Sequence, residues 1–280
     1  MMSDLAITRR RAVSGLTAML LPGFAAQSAR AAGYSEISYR SGSLNISGYL
    51  YRPVGSGPFP AIVYNHGSRL GLERNIVPWV RLAGLYVEAG YAVLVPERRG
   101  YGRSDGPTWS QAVGRDVGSV FLDRLVAETS DVLAAADFLT TVPFIDHNRL
   151  GIVGWSLGGI VTMFAIARSR AFRTAINQAG GVLTWRSSPA LQSALGEAAR
   201  GANCPVLLMD AANDAAPEAM PALAQAMTSA GRPNRLAMYP AFTPTMPTGS
   251  NAPGHALFSA EGIPIWSRDA LTFLGTYLRP

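Results

Sequence analysis

Two serines sit in the spacing Gly-x-Ser-x-Gly: Ser156 in GWSLG (154–158) and Ser104 in GRSDG (102–106). A serine hydroxyl attacks a carbonyl only when a base takes its proton and the backbone lifts it clear of its neighbours. A sharp strand-to-helix turn does the lifting, with small residues two positions before and after the serine. The helix that follows brings its free N-terminal N–H groups to the place where negative charge develops. The apolar run RLGIVG leads directly into Ser156, and the helical pattern LGGIVTMFAIARSR leads directly out. Ser104 has neither neighbour. Its strand pattern ends near Pro96, and Gly106-Pro107 continues a loop. Ser156 is therefore the candidate nucleophile, and the glycines around Ser104 read as turn residues.

The chain has three histidines, His66, His147 and His255. Only His255, in PGHALF, follows Ser156 in the order nucleophile, acid, base that such turns accompany. His66 follows an early strand pattern, and His147 lies in the turn sequence IDHNR. Between Ser156 and His255, PVLLMDAANDAAPE offers Asp210 at a strand end and Asp214 in the turn beyond it. An acid that orients a base on a neighbouring loop must reach out from the sheet. Asp214 is thus preferred, with Asp210 as the alternative. Two backbone donors are expected to hold the developing oxyanion: the N–H of Leu157 and that of Ser68, with Arg69 as a neighbouring choice. Trp155 and Trp185 are candidates for an apolar acyl pocket or for plain core packing.

These groups need a frame to bring them together. Short apolar runs (59–65, 91–96, 149–154, 173–178, 205–209, 235–239) alternate with helical patterns (74–89, 116–141, 157–169, 189–201, 217–230, 265–278). Strands that are apolar on both faces and separated by helices predict a mostly parallel sheet covered on both sides. Residues 35–52 read as a hairpin around Ser41-Gly42-Ser43. Little sequence separates the strand patterns at 173–178 and 205–209, so at most a small lid is expected there.

Composition agrees with one sizeable core. The chain has 280 residues, 48% of them hydrophobic and 15% charged, close to the upper size of a single domain. The single cysteine, Cys204, excludes an internal disulfide and reads as a small buried residue. All 24 basic residues are arginine. The formal charge of +6 overstates the basicity of the main body, because the first 31 residues carry four arginines and one aspartate. The other arginines are scattered, with no stripe that predicts nucleic-acid binding. No metal-ligand cluster or phosphate-binding fingerprint appears, so no cofactor is expected.

The N-terminus reads as an address. Arg9-Arg10-Arg11 precedes an apolar stretch from Ala12 to about Ala26, and Ala29-Arg30-Ala31 has the spacing of a cleavage site. The expectation is a signal peptide over 1–31 of twin-arginine type, a mature start near Ala32, and export to the periplasm or the outside. The remaining 32–280 reads as one catalytic domain without a membrane span.

The segments YNHGS, PERRGYGRSDG, GWSLGG, PVLLMDAAND and GHALF, in this order, resemble the α/β-hydrolase superfamily and are most similar to its dienelactone-hydrolase-like branch. The similarity extends to the catalytic domains of prolyl-oligopeptidase-type enzymes. It implies an α/β-hydrolase fold, a triad of Ser156, Asp214 and His255, and a small-molecule ester as substrate. Dienelactone hydrolases proper use a cysteine where this chain has Ser156, a departure that weakens dienelactone as the substrate. A small-peptide peptidase and a non-catalytic binding protein on the same scaffold are the alternatives. The oligomeric state is not legible.

Overall fold

Apolar β-branched runs without flanking polar alternation are stable only between two covering layers. That is how the central strands are used in the computed structural model, which describes residues 33–246 and 251–279. The signal-peptide reading over 1–31 and the start near Ala32 lie outside these residues. All described residues belong to one compact unit, Ala31–Pro280.

The chain opens with β1 (Tyr34–Ser41) and β2 (Leu44–Tyr51), a hairpin that turns at Gly42. Gly42 has φ 59°, which a side chain would oppose. Then follow β3 (Phe59–Asn65), α1 (Val80–Glu88), β4 (Ala92–Glu97), α2 (Trp109–Ala112), α3 (Ser119–Thr140), β5 (Ile145–Trp155) and α4 (Leu157–Arg168). The second half comprises β6 (Thr174–Gln178), α5 (Pro189–Arg200), β7 (Val206–Ala211), α6 (Ala219–Ser229), β8 (Asn234–Tyr239) and α7 (Ile263–Leu278), with 3₁₀ turns at Val182–Thr184 and Pro253–Phe258. The sheet order is β1-β2-β4-β3-β5-β6-β7-β8. The β1–β2 and β2–β4 pairs are antiparallel, and every other pair is parallel.

Two glycines of β5 show that both faces are covered. Side chains three apart on a strand point to opposite faces. A Cβ on Gly151 would come within 2.8 Å of Leu278 in α7, and one on Gly154 within 2.2 Å of the Gly158 carbonyl in α4. Helices α4 and α7 thus press on opposite sides of the same strand. Ile62, Val63, Leu94, Val95, Ile152 and Val153 have no exposed surface. Among the described residues, no helix is long and apolar enough to cross a membrane.

The expected elements form, with three differences. The helix predicted from 74 begins only at Val80: Pro78 cannot donate to a preceding turn, and Trp79 takes φ 60°. The loop after β4 contains α2, which closes with a reciprocal cap between Thr108 and Gln111. The segment around His255 is a 3₁₀ turn rather than an open loop. Between β6 and β7 only the 3₁₀ turn and α5 intervene, which matches the expectation of a small lid at most.

Candidate active site

Strand β5 ends at Trp155 and α4 begins at Leu157, so the reversal falls on one residue, Ser156. Its φ of 57° and ψ of −121° lie where a residue with a side chain is strained. The Ser156 N–H donates to the Gln178 carbonyl of β6 at 2.9 Å, which ties the bend to the sheet. Small neighbours are obligatory. A Cβ on Gly158 would sit 2.1 Å from the Asn65 carbonyl oxygen, and one on Gly159 would sit 2.4 Å from Asn177 Oδ1.

The 3₁₀ turn Pro253–Phe258 carries His255 to the Ser156 hydroxyl. His255 Nε2 lies 2.8 Å from Ser156 Oγ, and His255 Nδ1 lies 2.8 Å from Asp214 Oδ2. An ionised carboxylate only accepts, so Nδ1 carries the ring proton and Nε2 is left to accept from Ser156. Asp214 stands in the turn after β7, and its Oδ1 accepts from the Ala215 N–H at 2.6 Å. The three side chains are mostly buried, at 9%, 8% and 6% exposure for Ser156, His255 and Asp214.

Two residues not singled out from the sequence hold this chain of bonds in register. Asn213 Nδ2 donates to the Phe242 carbonyl at 2.8 Å, and the Phe242 N–H donates back to Asn213 Oδ1 at 2.9 Å. This reciprocal pair fastens the turn of Asp214 to the segment that leaves β8. Gly254 lies against the same turn, where a Cβ would meet Asn213 Oδ1 at 2.5 Å. An Asx residue beside the acid and a glycine beside the base were the available sequence signals.

Ser68 and Leu157 border the cavity above Ser156, as their expected role requires. The N–H of Leu157 is the first of α4 and has no acceptor within the helix. Gly67 lies against the nucleophile: a Cβ there would be 3.3 Å from Ser156 Cβ. Behind this loop, His66 Nδ1 meets the Gly67 carbonyl at 2.7 Å, and Arg98 Nη2 donates to the His66 carbonyl at 2.9 Å. Burial, with Arg98 and Arg69 nearby, pushes the His66 imidazole well below its ordinary pKa and keeps it neutral. Arg69, the neighbouring choice, does not border the cavity, and its side chain pairs with Glu97.

The cavity has a volume of about 400 Å³ and is walled by Trp109, Val117, Phe121, Ile160 and Leu183. Trp109 and Phe121 meet edge to face at 5.6 Å. Neither tryptophan considered from the sequence borders it. Trp155 packs beside His255 and donates from Nε1 to the His255 carbonyl at 3.1 Å. Trp185 packs against the core, and its carbonyl accepts from Gln192 Nε2 at 2.5 Å. Trp109 takes the place in the wall because α2 folds back over the site.

The remaining candidates fall elsewhere. Ser104 is buried; its hydroxyl donates to the Glu97 carbonyl and accepts from the Ser47 N–H at 2.9 Å. It therefore stitches its loop to the sheet. His147 is exposed near the start of β5. Cys204 is buried, and desolvation pushes its thiol up to about 12. Asp210 lies within β7 with no exposed surface, and it is Asp214 that meets His255.

With this geometry in hand, known proteins can be compared. The family model "Prolyl oligopeptidase family" matches residues 80–195, a stretch that includes Ser156 but neither Asp214 nor His255. An uncharacterised 31.7 kDa protein from the traX-finO intergenic region of Escherichia coli is 29% identical over 126 residues. That match covers 45% of this chain and 39% of the relative, so the similarity spans less than half of either. Among solved structures, an acylaminoacyl peptidase of Pyrococcus horikoshii superposes with a TM-score of 0.65 at 16% identity, covering 89% of this chain and 42% of that one. A Klebsiella pneumoniae protein provisionally named a dienelactone hydrolase superposes with a TM-score of 0.65 at 21% identity, covering 89% of this chain and 100% of its own. At such identities the superpositions establish the fold.

Proposed function

We propose that the chain, which has the α/β-hydrolase fold, is a serine hydrolase that cleaves carboxylic esters with an apolar acyl group. The observation that carries this reading is the unbroken hydrogen-bond chain from Ser156 through His255 to Asp214 at the foot of an apolar cavity. Ser156 Oγ attacks the ester carbonyl carbon while His255 Nε2 takes the hydroxyl proton. The carbonyl electron pair moves onto oxygen, where the N–H groups of Ser68 and Leu157 receive it. Collapse expels the alcohol oxygen, which takes the proton from Nε2, and leaves an acyl group on Ser156. Water then repeats the sequence with His255 as base, releasing the carboxylic acid and restoring the hydroxyl. Asp214 keeps the imidazole in the required tautomer and stabilises its cation without taking the proton.

The walls of the cavity favour an ester over the free amino terminus of a peptide. The carboxylate that borders it, Asp116, is used by the N–H groups of Gly118 and Phe121 at 2.8 and 3.0 Å. The other charged neighbour is the guanidinium of Arg115. The opposite charges of the adjacent Arg115 and Asp116 leave no net negative charge at the wall to draw a substrate ammonium. The peptidase reading is favoured by the prolyl-oligopeptidase match over 80–195.

One experiment separates the readings. A fluorophosphonate probe is expected to label Ser156, identified by peptide mapping, and nitrophenyl esters are expected to turn over far faster than aminoacyl-anilides. Preference for the anilide would replace the ester reading with the peptidase one. Failure of the probe to label the protein would leave a binding protein on this scaffold.

A further inference from the structure

Behind the Asp214–His255 pair stands a second carboxyl group that the mechanism above does not use. Asp210 lies in β7, four residues before Asp214, and has no exposed surface. Its Oδ1 accepts from the Ala211 N–H at 2.8 Å. Its Oδ2 is buried and meets no donor. Leaving an ionised oxygen in that state is costly. The carboxyl group whose charge bears most on Asp210 is Asp214, four residues on in the turn that leaves β7. Both Asp214 oxygens are already engaged, Oδ1 by the Ala215 N–H and Oδ2 by His255 Nδ1. Two carboxylates this close, out of water, do not both ionise.

The position of the shared proton follows from the surroundings. Asp214 faces the His255 imidazole through Oδ2 and accepts a backbone bond from Ala215 through Oδ1. Asp210 accepts one backbone bond, from the Ala211 N–H, and faces no imidazole. Burial first, then the charge of Asp214, raise its pKa well above the usual carboxylate range. The next charge that bears on it, Glu218 beside the start of α6, is also acidic and is paired with Arg186 through bonds of 2.7 and 2.8 Å. A proton on Asp210 Oδ2 turns the orphaned oxygen into a donor, with the Asp214 carboxylate as the neighbouring acceptor.

We propose that Asp210 is a neutral carboxylic acid that donates a hydrogen bond to the Asp214 carboxylate and so acts as a positioning residue for His255. The catalytic consequence rests on the triad reading given above; the protonation itself does not. Asp214 sits on a turn, and a donor rooted in β7 fixes its carboxylate plane against the sheet. The two groups together carry one negative charge. When rising pH removes the Asp210 proton, the bond becomes a repulsion, and Asp214 loses the orientation that holds Nδ1. Ester hydrolysis then declines on the alkaline side for a reason located in Asp210.

The test pairs infrared spectroscopy with kinetics. Near neutral pH, wild-type protein is expected to show the carbonyl stretch of a protonated carboxylic acid that is absent from D210N. D210A is expected to lower kcat about tenfold, the usual effect of losing one hydrogen bond to a charged group. D210N, whose amide donates at every pH, is expected to restore most of that loss and to abolish the alkaline decline. Absence of a protonated aspartate in the wild type overturns the proposal. So does an alkaline decline that is identical in wild type and D210N. If D210N does not fold, an infrared titration of wild-type protein with isotope-labelled aspartate decides the protonation alone. If S156A hydrolyses esters as fast as the wild type, the ester mechanism fails while the infrared result still stands.

Discussion

The imidazole of His66 hydrogen-bonds the carbonyl of the very next residue, Gly67, at 2.7 Å. A carbonyl only accepts, so Nδ1 is the protonated nitrogen. The Gly67–Ser68 peptide is planar, and its C=O and N–H point in opposite directions. Pinning the Gly67 carbonyl inward therefore aims the Ser68 N–H outward, toward the cavity that both Ser68 and Ser156 border. His66→Ala is expected to lower kcat about tenfold with little change in KM. That is less than the loss of about 10²–10³ on deleting an oxyanion donor outright, because the donor is misaimed rather than absent. A rise in KM at constant kcat would assign His66 to substrate binding instead.

The two Gly-x-Ser-x-Gly serines are expected to fail in different ways. Ser156→Ala removes the nucleophile and should lower turnover by about 10³–10⁶ while leaving thermal unfolding almost unchanged. Ser104→Ala removes the acceptor for the Ser47 N–H and a donor to the Glu97 carbonyl. It should cost about 1–3 kcal/mol of stability and preserve most of the turnover at temperatures where the protein is folded. Comparable losses of turnover in both variants would overturn the assignment of Ser156.

The elbow was legible in the sequence because it is local. A strand period, a glycine-flanked serine and a helix period follow one another without interruption from Arg149 to Arg168. Asp214 was separable from Asp210 by a geometric argument alone: one lies in the sheet and the other on the turn beyond it. The cavity wall was not legible. Trp109 reaches the site because Thr108 caps a four-residue helix inside a glycine-rich loop, and Phe121 comes to it from a different element. No period in the sequence announces that encounter. The late start of α1 has a sequence signal in Pro78, which lies inside the helical pattern at 74–89.

The buried carboxyl of Asp210 also links stability to pH, and the sign is fixed. Its folded-state pKa lies above the unfolded value, so the folded chain binds more protons between the two. The stabilisation is fully present below the ordinary carboxylate range and is lost as pH rises through the raised folded value. Denaturant midpoints of the wild type should therefore fall across this window, whereas those of D210N should fall less. Parallel midpoint curves for the two proteins would show that Asp210 is already ionised in the folded state.

The wall formed by Trp109 should set the length of the acyl group. Its indole meets Phe121 edge to face, and the Arg124 guanidinium lies 5.8 Å from its ring centroid. Both neighbours restrain it from moving aside for a longer chain. Replacing it with alanine opens the cavity toward α3 and removes an aromatic surface that shorter acyl groups contact. Each methylene placed in an apolar pocket changes kcat/KM by about 10–200-fold. Trp109→Ala is therefore expected to shift the optimum toward longer acyl chains by one or more methylenes and to lower the rate on short ones by at least about tenfold. A series of nitrophenyl esters of increasing acyl length checks this. A profile that scales uniformly, with its optimum unmoved, would place the acyl group outside this cavity and assign the cavity to the alcohol.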